Sequence, residues 1–515
     1  MGLLQAGADM AKYKGYDYRQ RVMIPVSLED QLMPGTLEFA IHTLVETRMD
    51  LSVFDHRYNN DETGRLAYDP KVLLKVVLLA YSRGLISSRR IERCCRENVT
   101  FMALSCGQYP DHSTIAAFVS SMKDEILPLY RDVLLVCEEE NLLGGTFFAL
   151  DGCKLPSNAS KEGSGTISDL EKKRDKLEGK VRDLLRQQIE SDRRDDDHKG
   201  VADLSDEQRH KRQIERLQRK ADRINKWLKD NDAKIGRAGR EIKSNITDNE
   251  SAKMMTSHGT IQGYNAQALI DSKRQVIVSA EAFGNGQDHD HVPPLIDGAK
   301  GNMEPIGICK DYFEGKILTA DSNYHSPGNL EKCDSERMDA YIPDNKFRQR
   351  DKRFSTRERY RPRNVSKFTL EDFQYDEDAD QYVCRHGQVF KLKARRHSSY
   401  GNIYRRYRAQ GEQCPGCPSR ARCLSANGNR RIHLVVPIGA QTRNLSRKMA
   451  EKIDSEKGRK IYPQRLAIAE PVFANIRAQK RLDRFTLRGK IKVNIQWLLY
   501  CIVHNMGKIA SYGFA

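Results

Sequence analysis

Two short apolar runs, each ending in an aspartate, constrain the fold of this 515-residue chain most strongly. Residues 146–151 read TFFALD and residues 316–321 read KILTAD. Their length and apolar content predict short buried strands. Asp151 and Asp321 therefore stand where a strand ends. For Asp151, which precedes Gly152, a functional acid and a turn-forming acid are both open interpretations, because Asp-Gly is a common turn pair.

A third carboxylate lies in a late segment, residues 462–477, which reads YPQRLAIAEPVFANIR. Its apolar residues recur at three- and four-residue steps and predict a helix that faces the core. Glu470 lies close to that apolar face, between Arg465 and Arg477. The residue types fit either an ordinary ion-pair cluster or a functional acid.

The charge balance favours a polyanionic partner. The chain has 87 Lys and Arg against 70 Asp and Glu, a formal net charge of +17, which favours nucleic acid or an anionic membrane surface. No segment has about 18 consecutive apolar residues, and the start lacks a secretory pattern, so we expect a cytoplasmic protein and no membrane partner. Twelve cysteines in so long a chain indicate a reducing compartment.

The first 140 residues predict short helices. Pro70 opens one helix and Gly84 ends it. The next helix, SSRRIERCCREN, carries Arg89 and Arg90 on its exposed side. A helix, a glycine turn and a basic helix suggest DNA binding, but a helical bundle with a solvated basic face fits equally well.

Residues 167–246 carry a heptad-like apolar seam on both sides of a short charged break, which predicts a two-helix hairpin. The hairpin could dimerise the protein, but the short break favours an antiparallel fold-back. From Thr260 the pattern changes to a β-hairpin. The sequence DHDH at 288–291 resembles a metal site, but the prolines that follow favour a loop with exposed histidines.

Residues 344–431 are basic and irregular in pattern. Arg405 and Arg406 lie among tyrosines, a composition that suits phosphate and base contacts. For residues 344–364 a solvated or disordered insertion is the alternative. The region also contains four cysteines that could hold structural Zn²⁺ or be reduced thiols: Cys384, Cys414, Cys417 and Cys423.

Asp151, Asp321 and Glu470 come from three separate predicted elements. Three such carboxylates can bind two Mg²⁺ or Mn²⁺ ions about 3.5 to 4 Å apart, as in phosphodiester displacement. Oxygen ligands favour these metals over catalytic zinc.

Several longer motifs are spread along nearly the whole chain. They are GRLAYDPKVLLKVVLLAYSRGLISSRRIE (64–92), FALDGCKLPSNASK (148–161), GYNAQALID (263–271), LTADSNYHS (318–326), CPGCPSRARC (414–423) and RFTLRGKIKVNIQWLLYCIVHNMGK (484–508). On these motifs the chain resembles the DDE transposases of bacterial insertion sequences, in the insertion-sequence-four/five superfamily and closest to its eleven-eighty-two branch.

The resemblance implies an α+β or α/β fold with a ribonuclease-H-like core. The implied domains are an N-terminal helical DNA-binding domain (1–140), a catalytic domain (141–343 plus 432–515), an inserted helical hairpin (167–246) and a basic insertion (344–431).

The resemblance also implies that Asp151, Asp321 and Glu470 are the catalytic, metal-binding triad. Tyr462, Arg465 and Arg477 fall on the family's accessory signature and would contact DNA phosphates. This chain has Arg477 where lysine is usual and one extra residue between Arg465 and Glu470. Because Pro471 also cannot donate a backbone hydrogen bond, we predict a kink or π-bulge between Arg465 and Pro471.

The implied activity is transposition. The protein would bind the terminal inverted repeats of its element, cut double-stranded DNA with two metal ions and join the 3′-hydroxyl ends to target DNA. It would act as a homodimer that pairs two ends, and would be nucleoid-associated when bound to DNA. The alternatives are a catalytically inactive relic that acts as a repressor or architectural factor, and a nuclease or resolvase on the same fold.

Overall fold

The computed structural model contains helices and two larger sheets, a mixed α and β architecture. It describes residues 27–57, 66–197, 204–236, 239–308, 311–354, 356–360, 368, 370–376, 378–399, 402–409, 416–423, 433–437 and 440–513.

Six α-helices lie in the described part of the N-terminal region, where the sequence predicts short helices. They are α1 (Leu37–Thr47), α2 (Pro70–Ser82), α3 (Ser88–Glu97), α4 (Val99–Leu104), α5 (His112–Ser120) and α6 (Ile126–Glu139). Pro70 is the first residue of α2, where its missing N–H costs nothing, and the Asp69 side chain accepts from the Lys71 N–H. Gly84 follows with a φ of +71°, which glycine adopts without strain and which turns the chain toward α3.

The middle of the chain forms the central sheet, the inserted hairpin and two further helices. In chain order the elements are β1 (Phe147–Pro156), β2 (Ser164–Gly165), α7 (Ile167–Asp197), α8 (Leu204–Asp230), β3 (Ser244–Asn245), β4 (Ala252–Thr256), β5 (Gly259–Asp271), β6 (Ile277–Phe283), α9 (Val292–Met303), β7 (Ile317–Ala320), α10 (Pro327–Ser335) and β8 (Asp339–Tyr341).

The remaining elements follow β8. They are α11 (Phe347–Arg350), β9 (Phe373–Asp376), β10 (Gln381–Cys384), β11 (Val389–Ser399), β12 (Asn402–Ala409), β13 (His433–Pro437), α12 (Ala440–Asp454), α13 (Glu456–Ile461), α14 (Gln464–Ala474), a π-helical segment (Asn475–Gln479) and α15 (Lys490–Tyr512).

The six-stranded central sheet is mixed. Strand β1 pairs in parallel with β7, and β7 in parallel with β8, whereas β5 is antiparallel to β1. Strands β4 and β6 both pair with β5. The predicted hairpin is therefore β5 and β6. Strand β1 does not end at Asp151 as predicted, because its pairing with β5 continues to Pro156.

Helix α15 lies under this sheet and joins it to the N-terminal helices. The Trp497 indole N–H donates to the Gln267 carbonyl at 3.0 Å, and Asn505 accepts from the Ile277 N–H at 2.9 Å. Buried apolar residues of α1, α2 and α6, of the sheet and of α15 form one continuous core. Within the ranges given above, no helix has the length and apolarity needed to span a bilayer.

Helices α7 and α8 pack against each other as the predicted fold-back. Leu170, near the start of α7, is buried with Ile224 and Trp227, near the end of α8, so the two helices run antiparallel. The predicted apolar seam extends further along the chain than the helical hairpin does. Ile235 and Ile242 lie beyond the end of α8 and are exposed.

The basic region 344–431 was predicted to be irregular, but strands β9 to β13 form a five-stranded antiparallel sheet there. Its core is aromatic: Phe368, Phe373, Tyr382, Phe390 and Tyr407. The many arginines between these aromatics hid the strand alternation. Strand β13 pairs with β12, so the sheet continues past residue 431, and the domain boundary itself stays a prediction.

Candidate active site

Asp151 and Asp321 lie next to each other in the central sheet. Leu150 and Ala320 are the last residues paired between the parallel strands β1 and β7, and one aspartate follows each of them. Because the two strands run in the same direction and their pairing stops at the same point, the two carboxylates come together there. Both line a cavity of about 590 Å³. The predicted association of these two acids is present in the fold.

The local chain fixes the Asp321 side chain. Its Oδ1 accepts from the Asn323 N–H at 2.8 Å and so caps the short 3₁₀ turn Ser322–Tyr324. Burial raises the pKa of Asp321 despite this hydrogen bond, and the neighbouring charge of Asp151 adds to the effect. Two adjacent buried carboxylates destabilise each other's ionised form, and a bound cation would relieve that cost.

Arg465 forms an ion pair with Asp151. The Arg465 side chain is 11% exposed and that of Asp151 is 21% exposed. Burial raises the pKa of Asp151, and the Arg465 guanidinium opposes this rise. Arg465 thus supplies the positive charge nearest to the first aspartate. Tyr462, one turn earlier, packs edge-on against Phe347 with ring centroids 5.3 Å apart.

The predicted π-bulge between Arg465 and Pro471 is absent, because α14 runs as an α-helix from Gln464 to Ala474 with Pro471 inside it. A kink at this proline stays a prediction. The proline leaves the Ala467 carbonyl without its usual helical donor, and the Gln275 side-chain amide donates to that carbonyl at 3.0 Å. The π-helical segment starts at Asn475 instead, after Glu470. It therefore begins after Glu470 and includes Arg477.

Glu470 is exposed at the edge of the site. Five residues separate it from Arg465, which on a regular helix places the two side chains about 140° apart. Arg465 points to Asp151, and Glu470 lines an adjoining cavity of about 560 Å³ together with Asp151 and Arg477. Arg477 also lines the Asp321 cavity, so the two cavities share a wall.

A fourth carboxylate, Asp288, lines the Asp321 cavity. Its Oδ1 accepts from the Asn265 amide at 2.6 Å and from the Gln267 amide at 3.0 Å. Burial opposes ionisation, but the nearby His291 ring and the Asn265 amide hold the pKa of Asp288 below its ordinary value. Asp288 is thus a buried, ionised neighbour of Asp151 and Asp321.

Sequence reasoning missed Asp288 by assigning 288–291 to a loop with exposed histidines. His289 is exposed, but His291 is buried and stacks on Phe283 with centroids 4.0 Å apart. The sequence signal that could have indicated Asp288 lies in β5. Asn265 and Gln267 are two residues apart in a buried strand, so they share a face and need a polar partner there.

Across the described ranges, no three His, Cys, Asp or Glu side chains are grouped closely enough to hold an ion. Asp151 and Asp321 supply adjacent oxygen donors of the kind that Mg²⁺ prefers, and Glu470 lies in the adjoining cavity.

In the basic region, Cys384, Cys417, Cys423 and His386 line one cavity of about 200 Å³. The predicted ligand Cys414 lies outside the described residues. Zinc at this position stays a prediction.

Besides Arg465 and Arg477, the predicted DNA-contacting arginines lie on two other surfaces. Arg89 and Arg90 are exposed on α3 while Ile91 and Cys95 face the core. Arg405 is exposed on β12, with its guanidinium 3.7 Å from Asp380, and Arg406 is half-buried. Neither pair lines the two cavities of the carboxylate site. A role of these arginines in DNA binding would therefore be separate from DNA cleavage.

Two family models match this chain. Residues 26–121 match the model described as Transposase domain (DUF772), and residues 383–510 match the model described as Transposase DDE domain. The second match includes Tyr462, Arg465 and Glu470, but it begins after both aspartates. No curated protein matches the chain.

These matches support a DDE transposase family for this protein. The DDE domain implies an enzyme that acts in DNA transposition and recombination.

Proposed function

We propose that this protein is the transposase of a bacterial insertion sequence, in the insertion-sequence-four/five superfamily and closest to its eleven-eighty-two branch. The observation that carries the proposal is the pair Asp151 and Asp321, which directly follow the last residues paired between the parallel strands β1 and β7, with Arg465 bound to the first. The sheet order supports a ribonuclease-H-like core. In this chain the central strand β1 pairs in parallel with β7 on one side and antiparallel with β5 on the other, as the central strand of that fold does.

Asp151, Asp321 and Glu470 would hold two Mg²⁺ or Mn²⁺ ions. When bound, such ions activate a water or hydroxyl nucleophile and stabilise the leaving oxygen in phosphodiester displacement. Arg465 orients the Asp151 carboxylate and balances its charge. Arg477, exposed between the two cavities, would contact a phosphate near the scissile bond.

DNA binding would extend beyond the residues that act in cleavage. Arg89 and Arg90 on α3, and Arg405 and Arg406 on β12, would contact the backbone of the terminal inverted repeats and fix its register. Two protein copies would pair the two ends in a homodimer. The 3′-hydroxyl ends would then attack target DNA in the nucleoid.

The test uses the full chain with a duplex that carries the DNA flanking its coding region. With Mg²⁺ the wild-type protein should cleave this duplex, and Asp321→Asn should bind it with unchanged affinity and leave it intact. Normal cleavage by Asp321→Asn would contradict the proposal. Binding without any cleavage by the wild type would favour the inactive relic.

A strand-transfer assay separates the remaining alternatives. A transposase should join the cleaved 3′ ends to a second plasmid, whereas a nuclease should release them and a resolvase should rejoin the original DNA. Joined products that lack the flanking DNA would identify transposition.

A further inference from the structure

A second charged cavity lies at the opposite end of the central sheet. It has a volume of about 320 Å³ and is lined by residues including Lys480, His504, Lys508 and Tyr512. The His504 ring and the Lys508 ammonium both bond to Gln275, in the turn after β5. That end of β5 pairs with the start of β1, and Asp151 lies further along β1.

Lys480 has an unusual environment for an ammonium group. It is 7% exposed, and no hydrogen bond or ion pair joins its side chain to any residue that the structure describes. Lys508 donates at 3.0 Å to the Gln275 side-chain oxygen, a neutral acceptor. The described residues lining the cavity include no carboxylate. A largely buried lysine whose ammonium lines a cavity without a counter-charge is stabilised when an anion binds beside it.

The surroundings suit a phosphate of nucleic acid. Burial lowers the pKa of Lys480 to about 8, and the Lys508 charge adds to the effect, so a nearby phosphate would favour the protonated form. At the rim, Tyr512 is 48% exposed, and the Arg274 guanidinium lies 4.5 Å from its ring centroid. An aromatic ring and a guanidinium beside lysines can contact sugar, base and phosphate together.

We propose that Lys480 and Lys508 form a phosphate-binding site that holds a backbone phosphate of DNA at the end of the sheet opposite Asp151. The choice of DNA as the source of the phosphate rests on the proposed function. The site would hold DNA that passes behind the catalytic sheet, away from the scissile bond.

The first experiment measures thermal unfolding of Lys480→Met, Lys508→Met and the control Lys492→Met, which removes an exposed charge from the same helix as Lys508. In chloride buffer, Lys480→Met should unfold at a higher temperature than the wild type. Replacing chloride by inorganic phosphate at equal ionic strength should stabilise the wild type and Lys492→Met, but neither cavity variant.

Two results would overturn the phosphate site. One is a wild type that does not respond to phosphate. The other is a Lys480→Met protein that is less stable in chloride, since lysines near helix C-termini also stabilise the helix dipole, and that role predicts a loss.

The second experiment measures duplex DNA affinity against salt, without cleavage. Lys480→Met should reduce the slope of log affinity against log salt by about 0.9, the value for one phosphate contact, and Lys492→Met should not. A lost phosphate response with an unchanged slope would overturn the DNA assignment and indicate a free phosphate ligand. Because neither readout requires cleavage, failure of this site and failure of the proposed transposase activity are distinguishable.

Discussion

Gly152 lies directly opposite Gln267 in the β1 and β5 pair, and the Gln267 carboxamide fills the space that a side chain at Gly152 would occupy. The same carboxamide donates to Asn265 at 2.9 Å and to Asp288 at 3.0 Å, and it accepts from the Tyr324 hydroxyl. The glycine after Asp151 is therefore required by the polar network that holds Asp288.

Gly152→Ala should displace the Gln267 carboxamide and leave buried polar groups without partners. We expect a loss of about 1–3 kcal/mol in the free energy of unfolding. Gly179→Ala is the matched control, because a side chain there meets no atom within 4 Å, and on a helix it should stabilise by roughly 0.5–1 kcal/mol. Denaturant unfolding measures both, and an unchanged Gly152→Ala protein would contradict the steric account.

Asp288→Asn should change stability little but reduce activity. The replacement keeps an oxygen that can accept from Asn265 and Gln267, so we expect the unfolding free energy to change by less than about 1 kcal/mol. It removes a negative charge beside Asp151 and Asp321, and Mg²⁺-dependent cleavage should fall by about 10–100-fold. Asp124→Asn, at an exposed acid in the N-terminal region, is the control. Equal cleavage rates for the two variants would exclude a role for Asp288.

The proximity of Asp151 and Asp321 could be predicted from the sequence for a physical reason, although β1 continues past Asp151. Buried parallel strands are short apolar runs, and an acid that follows each run must lie at the same sheet edge. Helix caps likewise depend on residues close together in the sequence. Asp69 and Asp111 each accept from backbone N–H groups at the start of a helix. His504 is buried with both ring nitrogens hydrogen-bonded, as expected for a structural histidine on an apolar helix.

The features that the sequence did not predict depend on contacts between segments far apart in the chain. Gln275 satisfies the carbonyl that Pro471 leaves without a donor, and nothing in the local sequence of α14 indicates this partner. Asp288 is buried by residues of β5 and by His291, although its own segment has the composition of an exposed loop. The sheet of β9 to β13 was missed because arginines stand between its buried aromatics.

Arg465→Gln should make stability more dependent on divalent cations. Without the guanidinium, Asp151 loses the cation that balances its buried charge, which should destabilise the protein in the absence of metal. Ca²⁺ should then raise the unfolding temperature of the variant more than that of the wild type. Thermal unfolding with and without Ca²⁺ measures this difference. The same shift in both proteins would show that Arg465 and the cation do not compete for Asp151.

His504 should make the fold acid-sensitive. Burial lowers its pKa to about 3 in the folded protein, against about 6.5 when unfolded. Between these values the unfolded chain binds the additional proton, so stability falls as pH drops from about 6.5 to 3.

His504→Gln lacks this titration. The difference in unfolding free energy between the wild type and the variant should therefore shrink on acidification, by on the order of 4 kcal/mol over the full range. Denaturant unfolding at several pH values tests this, and a difference that is constant with pH would contradict the buried neutral imidazole.

The central claim is that Glu470 acts in one site with Asp151 and Asp321, although it lies at the edge of that site. The most direct test compares cleavage of element-end DNA by Asp321→Asn, Glu470→Gln and the double variant, with the exposed Glu456→Gln as control. Groups that act as a unit are not additive, so both single variants should lose cleavage as completely as the double variant. Cleavage by Glu470→Gln at the rate of Glu456→Gln would contradict the account.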